Sequence, residues 1–279
     1  MDLSGYVTLL VLLAALLHAA WNAIVKSSRH KLYDTVAITT GAACICALAL
    51  PFVAPPARAA WPWLGASVAL HTVYFLALAG AYRWGDLSLA YPLMRGLAPL
   101  IVALVAVVAL DDAMTQSMWF GIGFICAGIL SPAVWQRRTL SCRGTLIAAG
   151  NAIVIAMYTL VDGVGTRLSD NPLSYCEWLF FLSAFPILAL ALAVERRGAW
   201  QHARSRWKVG LAGGAFSVAA YGIVLWAMTQ APVAAVAALR ETSVIIAAAI
   251  GTFFFREPLA GIRIAGAVLV AAGVIALSA

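Results

Sequence analysis

The sequence predicts an all-α membrane protein, with ten transmembrane helices arranged as two inverted five-helix repeats around a central cavity. Three observations predict it. The 279 residues are 64% hydrophobic and only 10% charged, with a mean hydropathy of +0.95. Ten apolar runs, each about long enough to cross a bilayer, fill almost the whole chain. Corresponding residues recur in the two halves at one constant offset. A soluble domain averages about 45–50% apolar and about 25% charged. A water-soluble fold of this length has no interior large enough for so much apolar side chain, so the chain lies mostly in lipid.

A spanning helix needs about 20 apolar residues. The candidate spans are Gly5–Val25, Val36–Val53, Trp63–Tyr82, Leu87–Leu110, Ser117–Trp135, Gly144–Val164, Leu173–Val194, Val209–Thr229, Val233–Phe255 and Ile262–Ser278. The first resembles a signal peptide in position only. It lacks a basic leader, its apolar run is too long, and similar runs follow it. The longest polar linker, ERRGAWQHARSRWK over Glu195–Lys208, reads as a basic loop.

The net charge of +7 does not indicate nucleic-acid binding, because the basic residues lie in short loops between spans and form no patch on a domain. Instead they set orientation. Lys26, Arg29, Lys31, Arg83, Arg137, Arg138, Arg143, Arg196, Arg197, Arg204, Arg206, Lys208, Arg256 and Arg263 fall on one side, and Arg58 and Arg167 on the other. Such a bias places the first set in the cytoplasm and both termini outside. The five cysteines lie mostly within apolar runs, without metal spacing or a histidine cluster. No metal or cofactor is expected.

Shifting the first half by 145 positions brings Arg95 onto Arg240, Asp112 onto Glu257, Gly121 onto Gly266 and Gly128 onto Gly273. This is read as an internal duplication. Because each copy has an odd number of helices, the second enters the membrane upside down. Inverted repeats of this kind characterise many secondary transporters, which hold substrate near the midplane between the repeats.

Arg95 and Arg240 are the two cations inside spans. At 1.5 Å rise per residue each lies about 10–12 Å deep, and they enter from opposite faces. An arginine at helix centre is unfavourable by about 2.5–3.5 kcal/mol on insertion scales. The pair therefore reads as a contact for an anionic group such as a carboxylate. The structural alternative is satisfaction by an acid or by carbonyls freed by Pro92, Pro99 and Pro232. Glu241 is the one acid deep in a span, and either carries a coupling proton or pairs with another helix. Sequence neighbours on a helix do not face each other, which argues against pairing with Arg240. Asp162 and Glu177 lie near outer ends, where solvation is expected.

Polar and aromatic residues mark inward faces. The first span carries His18, Trp21 and Asn22 one turn apart; the third carries His71, Tyr74, Phe75 and Tyr82. The fourth adds Tyr91, the sixth Asn151, Tyr158 and Asp162, and the eighth Ser217 and Tyr221. Together His18, Trp21, Asn22, His71, Tyr74, Tyr91, Tyr158 and Tyr221 are expected to line a small-molecule site. Trp61, Trp63, Trp119 and Trp135 at span ends read as interfacial belt. The glycine pairs at 121/128 and 266/273 are expected to let helices approach closely. There is no phosphate loop, no HExxH and no GxSxG, so neither ATP hydrolysis nor a hydrolase is indicated.

HAAWNAIVK (18–26), SLAYPLMRGLAPL (88–100) and APVAAVAALRETSVIIAAAIGTFFFREPLAGIRIAGAVLVAAG (231–273) resemble the two EamA repeats of the drug/metabolite transporter superfamily, over essentially the whole chain. The resemblance implies a first EamA repeat over 1–138 (helices 1–5) and an inverted second over 139–279 (helices 6–10). It also implies alternating access in a bacterial inner membrane, with the lipid bilayer and a small-molecule substrate as partners. The function implied is export of small metabolites, most closely by the YddG-type aromatic amino-acid exporters. A multidrug exporter and, from another class, a membrane-embedded enzyme or structural membrane protein remain alternatives. The four-helix multidrug relatives use a carboxylate in their first helix for proton coupling. Here that helix offers His18 and Asn22 and no acid, which favours facilitated export.

Overall fold

A computed structural model describes residues 3–26, 31–84, 87–135, 142–255 and 261–278. Its helices are α1 (Gly5–Lys26), α2 (Lys31–Ala49), α3 (Trp61–Trp84), α4 (Leu87–Ala109), α5 (Gln116–Trp135), α6 (Cys142–Arg167), α7 (Pro172–Ser205), α8 (Trp207–Gln230), α9 (Val233–Arg240), α10 (Ser243–Phe255) and α11 (Gly261–Ser278). Among the described residues nine spans are long and apolar enough to cross a bilayer; α5 supplies a shorter apolar one. The ninth span, Val233–Phe253, comprises α9 and α10. The chain is thus an all-α membrane protein of ten helices, one of them broken.

On α1 the apolar residues sort by size. Val7, Val11, Ala14, Ala15 and Ala19 are buried, while Leu9, Leu13 and Leu16 face outward. Lipid solvates large aliphatics as well as a protein core does, so close packing selects small residues for the inward face. Further outward-facing apolar residues include Leu48, Val108, Phe253, Val268 and Ile275.

The halves interlock. α3 packs on α6 as α1 packs on α8; α4 packs on α6 as α9 and α10 pack on α1; α2 meets α7, and α5 meets α11. The α5–α11 seam is reciprocal. A Cβ on Gly128 would stand 2.6 Å from the Gly266 carbonyl oxygen, and one on Gly266 would stand 2.7 Å from that of Gly128. Gly121 and Gly273 oppose each other in the same way, at 2.8 and 2.7 Å. The second seam, α2 on α8, brings Gly41, Gly210 and Gly214 against facing backbone.

Two loops follow from local chemistry. Between α6 and α7 the chain turns at Asp170, with φ 61°. Asn171 then caps α7, accepting from the amides of Leu173 (3.0 Å) and Ser174 (3.4 Å), with Pro172 at the first helical position. Between α4 and α5, Asp111 takes φ 50°. The neighbouring Asp112 carboxylate accepts from the Val233 amide at 2.8 Å, capping α9 from the other half of the chain.

The expected basic loop at Glu195–Lys208 is instead helical: α7 continues to Ser205 and the chain turns only at Arg206. Its Glu, Arg, Gln and Ala residues favour helix, and the segment contains no proline. The turn is tied to α2. Buried Asp34 receives His202 Nε2 at 2.6 Å and Arg206 Nε at 3.1 Å.

The glycine seam sets a stability test. Gly128→Ala is expected to destabilise the folded protein by about 1–3 kcal/mol, because helices must separate to admit the methyl group. Gly123→Ala, on the same helix with nothing within 4 Å of the added Cβ, should leave stability unchanged. Thermal unfolding in detergent reads both, and equal melting temperatures would contradict the close-packing role.

Candidate functional site

The site begins with two interruptions of helical hydrogen bonding. Pro92 and Pro99 lie inside α4. Pro99 has no N–H, so the carbonyl of Arg95, four residues earlier, lacks its helical partner. The second interruption is the turn at Glu241–Thr242 between α9 and α10. There the ladder tightens to three-residue steps, with Glu241 N–H donating to Ala238 (3.0 Å) and Thr242 N–H to Leu239 (3.1 Å). The Thr242 hydroxyl also donates to the Leu239 carbonyl, at 2.7 Å.

Glu241 connects them. Its Oε2 lies 2.7 Å from Arg95 Nε, and its Oε1 lies 3.4 Å from Arg240 Nη2. Arg95, Arg240 and Glu241 are 3%, 4% and 1% exposed, so water compensates none of the three charges. The Arg240 contact corrects the expectation that sequence neighbours stay apart: the broken helix lets the long arginine side chain fold back onto the next residue. The contact with Arg95 on α4 is the inter-helix pairing left open for Glu241. Two cations and one anion leave the cluster one positive charge in excess. Arg95 Nη2 and Arg240 Nε are buried donors with no hydrogen-bond partner in the protein.

Histidine and tyrosine residues surround the cluster. His18, on α1, lies within electrostatic reach of both arginines. Its Nδ1 accepts from Trp21 Nε1 at 3.3 Å, and its carbonyl accepts from the Asn22 side-chain amide at 2.8 Å. Trp21 and Asn22 thus orient His18, and an accepting Nδ1 puts the proton of the neutral ring on Nε2. Tyr91 lies within electrostatic reach of Arg95, Glu241 and Arg240. Tyr158 forms the centre of an aromatic group. His71 stacks on it with ring centroids 4.3 Å apart, and Tyr74 meets it edge-on at 5.8 Å. Tyr221 lies edge-on to His71 at 6.0 Å. His71 Nδ1 is held by Ser67, 3.1 Å from its hydroxyl and 3.0 Å from its carbonyl oxygen.

Eight of the ten residues singled out in the sequence, Arg95, Arg240, His18, His71, Tyr74, Tyr91, Tyr158 and Tyr221, therefore gather in one interior region, while Trp21 and Asn22 join it only through His18. The side chain of Tyr82, expected on the same stripe, lies outside the described residues, as does Glu257. Asn151 is buried beside this group, donating to Met94 Sδ at 3.0 Å, and Met94 packs with Tyr158, Tyr74 and Tyr91.

Two acids correct the sequence reading. Asp162 and Glu177 were expected in solvent but are 0% and 5% exposed. Asp162 accepts from Tyr175 Oη at 3.0 Å and from Tyr221 Oη, and Ser67 also hydrogen-bonds it. Proximity to a span end did not imply solvation, because α7 and α8 cover this part of α6. Tyr175 and Ser67 carried no signal in the sequence beyond residue type. Arg167, one of the two arginines on the sparsely charged side, binds Asp112 at 3.2 Å, the Met228 carbonyl at 2.9 Å and the Ala231 carbonyl at 3.4 Å.

The chain matches the model of the EamA-like transporter family over residues 143–279, just under half of its length. It is a multi-pass membrane transporter of small molecules, not an enzyme. A solved structure described only as "Crystal structure of protein" is similar over 99% of both chains, with a TM-score of 0.76 at 15% identity, a likeness of fold alone. No curated protein matches the chain.

The charge cluster carries its own test. Glu241→Ala leaves two buried guanidiniums without their shared counter-ion and should destabilise the protein by about 3–5 kcal/mol. Adding Arg95→Ala should restore part of the loss. A double-mutant cycle on thermal unfolding checks this, and a coupling energy under about 0.5 kcal/mol would contradict it.

Proposed function

We propose that this transporter exports amino acids, aromatic ones in particular, by alternating access of two inverted repeats, 1–138 and 139–279, about a midplane site. The observation that carries the reading is the buried cluster of Arg95, Glu241 and Arg240. Its excess positive charge and unclaimed N–H donors suit a substrate carboxylate. His71, Tyr74, Tyr91, Tyr158 and Tyr221 supply flat apolar faces beside it, which suit an aromatic side chain. A cationic drug finds like charge at this cluster, so the amino-acid reading ranks above multidrug export.

The reciprocal glycine seam supports the inverted repeat. Gly121 corresponds to Gly266 and Gly128 to Gly273, yet in space Gly121 faces Gly273 and Gly128 faces Gly266. That exchange is the signature of a two-fold axis relating the halves. In this reading Glu241 serves as counter-ion rather than proton carrier, and export runs down the substrate's own gradient. The basic segments lie in the cytoplasm of a bacterial cell, with both termini outside the inner membrane. A reporter fused after Ala279 that is active only outside the cytoplasm should be active; activity only of a cytoplasmic reporter would reverse the orientation.

Uptake of labelled amino acids into proteoliposomes tests the substrate class. Wild type should carry aromatic amino acids. Arg240→Ala, shown folded by its elution profile, should lose about tenfold or more of uptake, the scale of one lost charge-assisted contact. Full activity in folded Arg95→Ala and Arg240→Ala proteins would make both arginines purely structural.

A further inference from the structure

Asp162 stands apart from the arginine cluster and has a different set of partners. It is fully buried, and the contacts to its carboxylate come from hydroxyl groups: Tyr175 at 3.0 Å, Tyr221 and Ser67. Among the described residues no lysine or arginine pairs with it. Hydroxyl donors satisfy its lone pairs, and the ionisable neighbour within its electrostatic reach is the His71 imidazole rather than a fixed cation. The arginine cluster has the complementary problem, one positive charge in excess.

The two poles share their neighbours. His71 and Tyr221 each lie within electrostatic reach of both Asp162 and Arg240. Tyr158, stacked on His71, lies within reach of Arg95 and Arg240. One interior region therefore has a positive end on α4 and α9 and a negative end on α6, with aromatic rings beside both. Glu177, likewise buried, is within electrostatic reach of Cys46 on α2.

We propose that Asp162, held by Tyr175 and Tyr221, receives the ammonium group of a zwitterionic substrate whose carboxylate lies at the Arg95–Glu241–Arg240 cluster. This rests on the transport reading above and deepens it, since it makes both charges of the substrate requirements for recognition. A monoanion matches one pole and leaves the other without a partner, and a monocation does the reverse. Each phenolic O–H donates to the carboxylate, and its oxygen retains a lone pair that can accept from an ammonium group placed beside it.

The test uses three labelled compounds in proteoliposomes: L-phenylalanine, 3-phenylpropionate, which lacks the ammonium group, and phenethylamine, which lacks the carboxylate. Wild type should prefer L-phenylalanine to each of the others by about tenfold or more. Asp162→Asn should abolish the preference over 3-phenylpropionate by lowering L-phenylalanine uptake alone. Retention of the wild-type preference in folded Asp162→Asn overturns the assignment. Equal wild-type uptake of all three overturns it too, while leaving transport standing. Uptake of none removes the aromatic amino-acid reading and the assignment with it. Should Asp162→Asn not fold, Tyr221→Phe decides. It keeps the carboxylate and frees one oxygen, so the preference for L-phenylalanine should persist or widen, and a narrowed preference overturns the proposal.

Discussion

Glu241 holds together what the membrane would otherwise expel. Two guanidiniums are buried on different helices, and one carboxylate lies between them at 2.7 and 3.4 Å. A charge pair about 4 Å apart in an effective dielectric of about 20 interacts by about 4 kcal/mol. That is comparable to the insertion penalty of an arginine at helix centre, about 2.5–3.5 kcal/mol. The cluster also joins the halves, because Arg95 belongs to α4 and Glu241 to the turn after α9. A continuous ninth helix would turn Glu241 about 100° from Arg240; the break lets both arginines share one acid.

The ends of the bundle are fastened by the same economy of charge. On one side Asp112 caps α9 and binds Arg167, whose guanidinium also takes carbonyls at the end of α8 and just beyond it. On the other, Asp34 at the start of α2 holds His202 and Arg206 at the α7–α8 corner. Each fastening joins the first half of the chain to the second, and between them lie the aromatic group and both charged poles. In hydrocarbon, where apolar attraction between helices is absent, such polar contacts and small-residue seams have to supply the specificity of packing.

Much of this was legible in the residues. Apolar length marked the spans to within a few positions, since a bilayer imposes one length on every helix. Arg95 and Arg240 were visible because a cation in an apolar run is unfavourable without a partner. The aromatic stripe from His71 to Tyr74, and Tyr158 and Tyr221 elsewhere, followed from the rule that polar groups avoid lipid. Asp162 was misplaced for a physical reason: depth along one helix does not reveal whether a neighbour covers its end. The α7 extension was misjudged because charge was weighed above helix propensity.

The sequence by itself determined the solvent, the number and approximate extent of the apolar spans, the two buried cations and the family motifs, because each depends on local composition or spacing along one chain. Tertiary structure alone decided the partners: that Glu241 serves both arginines, that Gly128 meets Gly266, that Asp112 caps a helix 121 residues away, and that Tyr175 and Tyr221 hold Asp162 in the interior. Hydrogen bonds and ion pairs act over a few ångströms, and no periodicity along a chain specifies which distant residue will lie within that range.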